Sequence, residues 1–157
     1  MGALKLDNRG VLTTCSSCGK TNRVPYASLQ KTPRCGNCKS PLPAPAAPIA
    51  VPSAEIFDAL VHASSIPIIV DFWAPWCGPC HMVAPELEKV AAAAPGEMLV
   101  VKIDTEALPE LGERFRVRSI PTMAVFRDGR EVARTAGARP AADIQAFVRQ
   151  ALLQRAS

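Results

Sequence analysis

At 157 residues, 48% hydrophobic and 20% charged, the chain can bury the core of one ordinary domain plus a small appendage. It holds no run of eighteen apolar residues, so no transmembrane helix and no membrane partner are expected. The net charge of +4 is uneven: residues 1–40 carry seven Lys or Arg against Asp7 alone. That segment has no basic run and one aromatic, Tyr26, which argues against a nucleic-acid surface.

Residues 1–10 read as a loose tail. Their lack of a signal-peptide apolar stretch leads us to expect a cytosolic protein. In that compartment six cysteines mean metal binding or redox catalysis rather than structural disulfides. Two turn-like knuckles follow, Cys15-Ser16-Ser17-Cys18 and Cys35-Gly36-Asn37-Cys38, sixteen residues apart. The segment from Pro41 to Pro48 alternates proline with small side chains and reads as a stiff, extended spacer with no core of its own. The expected division is a ribbon at 1–40, a Pro/Ala-rich linker at 41–48 and an α/β domain at 49–157.

From residue 49 the pattern alternates between strand and helix. Ile49–Val51 reads as a short strand, and Ser53 caps a helix reaching about Ala63. Ile68–Trp73 is apolar on both faces apart from Asp71, as a central strand requires. A helix follows from Cys77 to about Ala94, with Pro85 expected to bend it. Met98–Asp104 forms a strand and Leu108–Phe115 a short helix. Thr122–Arg127 and Arg130–Thr135 flank Asp128-Gly129, a strong hairpin signal. Asp143–Leu153 closes the chain as an amphipathic helix. The order predicts an α/β fold: a mixed central sheet with helices on both faces.

Two cysteine patterns carry chemistry. Cys77-Gly78-Pro79-Cys80 stands where a buried strand runs into a helix. There, backbone N–H groups of the first turn stabilise a thiolate at Cys77, and Cys80 comes within disulfide reach. Pro79 suits the first turn, where its missing N–H leaves no bond unmade. The spacing of Cys15, Cys18, Cys35 and Cys38 fits a closed four-thiolate Zn²⁺ site, with iron in the same geometry as the competitor. A short, basic segment with no apolar core would need that metal to fold. Asp71 is either a strand-end carboxylate facing solvent or a buried one, and burial without a partner would cost several kcal/mol.

The segment Trp73-Ala74-Pro75-Trp76-Cys77-Gly78-Pro79-Cys80 resembles the active-site segment of the thioredoxin family. Together with the N-terminal four-cysteine ribbon and Asn22-Arg23-Val24-Pro25, it resembles the zinc-containing bacterial thioredoxin 2 class. The resemblance implies a thioredoxin fold with a small N-terminal zinc ribbon. It implies a protein-disulfide reductase that is itself reduced through an NADPH-dependent thioredoxin reductase and passes electrons to oxidised protein substrates. Cys77 would be the nucleophile, Cys80 the resolving cysteine, Asp71 a buried proton relay and Lys102 its neighbour. Ile120-Pro121 would form a cis bond facing the dithiol. The substrate rim would comprise Trp76, Gly78, Pro79, Ile120, Pro121, Gly137 and Ala138, with a monomer as the working unit.

His81 departs from the Lys or Arg common in the family and reads as a solvated first-turn residue. A rival reading makes the chain a zinc-ribbon adaptor that uses the fold as a scaffold; Cys77, Cys80, Asp71 and Pro121 argue against it.

Overall fold

The computed structural model describes residues 4–153. Eight strands and four helices follow one another as β1 (Lys5–Leu6), β2 (Gly10–Thr14), β3 (Thr21–Pro25), β4 (Ile49–Ala50), α1 (Ala54–Ala63), β5 (Ile68–Trp73), α2 (Gly78–Ala93), β6 (Leu99–Asp104), α3 (Pro109–Arg114), β7 (Thr122–Arg127), β8 (Arg130–Ala136) and α4 (Ala141–Leu153). The large sheet has the order β4-β6-β5-β7-β8. Strands β4, β5 and β6 run parallel, whereas β7 is antiparallel to both β5 and β8. The α/β expectation holds, and β5 is central. The Asp128-Gly129 turn has positive φ at both residues (54° and 83°), which matches the right-handed twist of the strands it joins.

Side-chain alternation along β5 sorts the core into two layers. Ile68, Val70 and Phe72 join Phe57, Leu60, Leu111 and Phe126 on the face of α1 and α3. Ile69 joins Val83, Leu87, Ile144 and Val148 on the face of α2 and α4. Asp71 shares the parity of Ile69, so the alternation aims its carboxylate at the α2 layer. Phe57, Phe115 and Phe126 meet edge to face at centroid separations of 5.3–5.7 Å, closing the other layer.

The N-terminal segment differs from its sequence reading in three ways. Apart from residues 1–3, which lie outside the described residues, the expected loose tail is structured. Lys5 and Leu6 pair with Leu12 and Val11, and the Asp7 carboxylate accepts the N–H groups of Arg9 and Gly10 to close the turn. The ribbon is not without apolar packing: Leu6, Val11, Val24, Tyr26 and Leu29 are buried in the same cluster as Phe57 and Leu60. Each strand contributes only one or two such residues, too few to register as a pattern. The spacer is also partly packed, because Leu42 is buried and its N–H donates to the Pro33 carbonyl. Gly10 permits the tight β2–β3 contact, since a Cβ there would stand 2.1 Å from the Val24 carbonyl oxygen.

Ribbon and large sheet meet through Tyr26. Its hydroxyl donates to the Asp7 carbonyl, and its own carbonyl accepts the Ser65 N–H at 3.1 Å, just past α1.

Candidate functional sites

Strand β5 delivers the chain to Ala74, where the backbone turns and Cys77 becomes the N-cap of α2. The Cys80 N–H donates to the Cys77 sulfur at 3.2 Å, one of the helix-terminal donors that has no partner inside the helix. The two cysteines are joined as a disulfide, with Cα atoms 5.3 Å apart. Both are buried, whereas Gly78 and Pro79 at the tip and Trp76 beside them are exposed, Trp76 by 70%. The Cys77 sulfur lies 3.7 Å from the Ile120 carbonyl oxygen, and the Ile120–Pro121 bond is cis. Gly137, at φ 96°, donates its N–H to the Pro121 carbonyl at 2.8 Å and so ties the end of β8 to that bond. Ala138 follows on the exposed rim.

Asp71 is 1% exposed, and neither carboxylate oxygen has a hydrogen-bond partner among the described residues. Burial drives its pKa up to about 7, with the positive charge of Lys102 opposing the rise. The solvent-facing alternative for Asp71 is therefore ruled out. Lys102 stands opposite Asp71 in the β5–β6 register, and its ammonium lies over the Trp73 ring, 4.4 Å from the centroid. It acts on Asp71 through charge rather than a direct hydrogen bond. A carboxyl group that is half protonated near neutrality can take up or release a proton at the working pH.

His81 is an exposed first-turn residue of α2, as expected, and its ring is also engaged. Its Nε2 lies 2.7 Å from the Pro75 carbonyl oxygen, and its ring meets Trp73 edge-on. Sequence reasoning also missed Met82, which stands 70% exposed two residues after Cys80. It missed Glu86, whose carboxylate accepts the Ala141 N–H at 2.9 Å and caps α4.

The four remaining cysteines converge. Their sulfurs all lie within 4.8 Å of one another; the pairs Cys15–Cys38 and Cys18–Cys35 are each 3.6 Å apart. Zinc–sulfur bonds of about 2.3 Å in a tetrahedron place sulfurs about 3.8 Å apart, so the donor set fits a four-thiolate metal. Donors surround the sulfurs: Asn22 Nδ2 and the Asn37 N–H reach Cys35, and Asn37 Nδ2 reaches Cys18. Hydrogen bonding from the Cys38 backbone, then from Asn22, draws the Cys35 thiol down to about 6. Asn22 entered the sequence reading only as part of the resemblance, and Asn37 only as part of a turn-like knuckle.

Comparison with known proteins matches both segments of the chain to family models. Residues 48–150 match the thioredoxin family model, and residues 14–40 match the model for the N-terminal segment of thioredoxin 2. Thioredoxin C-3 of Corynebacterium nephridii is 41% identical over 145 residues, covering 92% of this chain and 98% of that protein. A bifunctional thioredoxin reductase/thioredoxin of Mycobacterium leprae is 48% identical over 83 residues, which span 53% of this chain and 18% of that one. Among solved structures, chloroplastic thioredoxin z superposes with a TM-score of 0.62 at 34% identity, over 69% of this chain and 96% of its own. The chain belongs to the thioredoxin family of thiol–disulfide oxidoreductases and carries the zinc-ribbon segment of thioredoxin 2 at its N-terminal end.

Proposed function

We propose that this thioredoxin reduces protein disulfides with the Cys77–Cys80 dithiol and is re-reduced by an NADPH-dependent thioredoxin reductase. The observation that carries the reading is the placement of that pair at the head of α2, against a cis peptide and following a strand that buries the Asp71 carboxylate. In the reduced protein the Cys77 thiolate attacks one sulfur of a substrate disulfide, and the other substrate sulfur leaves and takes a proton. Cys80, losing its proton to Asp71, then attacks Cys77 in the mixed disulfide. The second substrate thiol departs and is protonated. Two electrons and two protons have passed to the substrate, and Cys77–Cys80 is oxidised.

Lys102 tunes Asp71 by charge. Trp76, Gly78, Pro79, Ile120, Pro121, Gly137 and Ala138 form the rim on which a substrate segment lies, the cis bond leaving backbone groups for it to pair with. Cys15, Cys18, Cys35 and Cys38 hold one Zn²⁺, whose closed ligand set makes it structural. The working division is ribbon 1–40, linker 41–48 and thioredoxin domain 49–157, acting as a monomer. No helix among the described residues is long and apolar enough to cross a membrane. A reducing, cytosolic setting suits a dithiol that must be kept reduced.

The test is NADPH consumption with thioredoxin reductase and insulin. Turnover is expected from the intact chain and none from Cys77→Ser; equal turnover from both would overturn the reading.

A further inference from the structure

Two large apolar side chains near the dithiol, Trp76 and Met82, stand exposed, and each lines a groove. The Trp76 groove, of about 200 Å³, includes Val117, Arg118, Ser119 and Ile120. It shares Thr105, Gly112, Val117 and Arg118 with a larger depression of about 450 Å³ that reaches Arg116 and Glu113. On the other side, Met82 lines a groove of about 280 Å³ with Glu86, Ala138, Arg139 and Pro140.

Three arginines line these grooves against two acids. Arg116, Arg118 and Arg139 are exposed, and their side chains form no ion pair or hydrogen bond among the described residues. Of the two acids lining the grooves, Glu86 is taken up by Lys89 at 3.1 Å and by the Ala141 N–H, leaving Glu113. This runs against the balance of residues 41–157, where eleven Lys or Arg face thirteen Asp or Glu. The segment bearing Arg116 and Arg118 is braced from below. Arg134 pairs with both Glu131 oxygens, at 2.6 and 2.8 Å, and donates to the Phe115 carbonyl at 2.6 Å.

We propose that the grooves receive an extended stretch of oxidised partner protein that carries acidic side chains on each side of its reacting cysteine. The proposal rests on the reductase reading above and names its substrate class. Guanidinium groups without internal partners suit carboxylates, which they bind through paired hydrogen bonds. Such exposed charges act on encounter and ground-state binding, so the preference belongs in kcat/KM and weakens with salt.

Matched peptide disulfides with Glu or Lys on both sides of the cysteine test this, with neutral hydroxyethyl disulfide as reference. The intact protein should favour the acidic peptide by about tenfold in kcat/KM at low ionic strength, the ratio shrinking as salt is added. Arg118→Glu combined with Arg139→Glu should bring that ratio to one or below, and Arg118→Gln should lower it partway. Equal rates for the two peptides at low salt, or a preference indifferent to salt and to all these changes, would overturn the proposal. Failure of the intact protein to reduce hydroxyethyl disulfide would overturn the reductase reading itself.

Discussion

In the ribbon, four sulfurs lie within 4.8 Å of one another under side-chain and backbone donors. At the head of α2, the Cys77 sulfur of a bonded pair meets a helix N–H and the carbonyl of a cis peptide, and the preceding strand buries a carboxylate without hydrogen bonds. The same side chain is thus gathered into a four-sulfur cluster in one place and paired at a helix terminus in the other. What separates the two is the surroundings. Knuckle turns bring four thiols together, as a four-thiolate metal site needs. A helix terminus activates one thiol and keeps its partner one turn away. The two regions are nevertheless not independent, because the ribbon's apolar residues share one cluster with Phe57 and Leu60 of α1.

The largest effect should come from opening the closed site. Cys35→Ser, or a strong zinc chelator, should unfold the ribbon and uncover α1. A loss of about 4 kcal/mol would lower the Tm by roughly 10 °C. Disulfide reduction by Cys77–Cys80 should persist below the new Tm. Calorimetry with and without chelator checks this, and an unchanged Tm would show that the shared cluster contributes little.

An effect of comparable size at high pH, opposite in sign, should follow from Asp71→Asn. Between its ordinary value of 3.8 and about 7, the folded protein keeps a proton that the unfolded chain has released. Stability therefore falls as pH rises through that window, and above it the buried charge costs up to about 4 kcal/mol. Asp71→Asn should be more stable than the parent above about pH 8 and indistinguishable from it below about pH 4, while turning over more slowly near neutrality. Denaturant titrations across pH give the sign directly. A variant less stable at high pH would mean that the carboxylate is paired after all.

The region around the dithiol was far more legible in sequence than the ribbon. Strand β5 announces itself by length and by apolar residues on both faces, Ser53 by its cap, and Asp128-Gly129 by its turn chemistry. Asp71 stood out because one carboxylate interrupts that strand. Strands β2 and β3, by contrast, are five residues each with many polar positions, and the apolar surface they bury is supplied partly by α1, far along the chain. Pairing across such distances leaves no local period to read. Lys102 was placed beside Asp71 by resemblance, but its seat on the Trp73 ring depends on strand register. The partner of the exposed His81, the Pro75 carbonyl, was hidden for a related reason: it is a backbone group that no residue type advertises.

The contrast between closed and open cysteines is tested most directly by mapping where a substrate becomes attached. Cys80→Ser, incubated with an oxidised protein substrate, should accumulate a mixed disulfide, because the intramolecular resolving thiol is gone. Peptide mass mapping of that adduct should find the substrate on Cys77 and the four ribbon cysteines unmodified. Attachment at Cys15, Cys18, Cys35 or Cys38, or an equal yield from Cys77→Ser, would contradict the account.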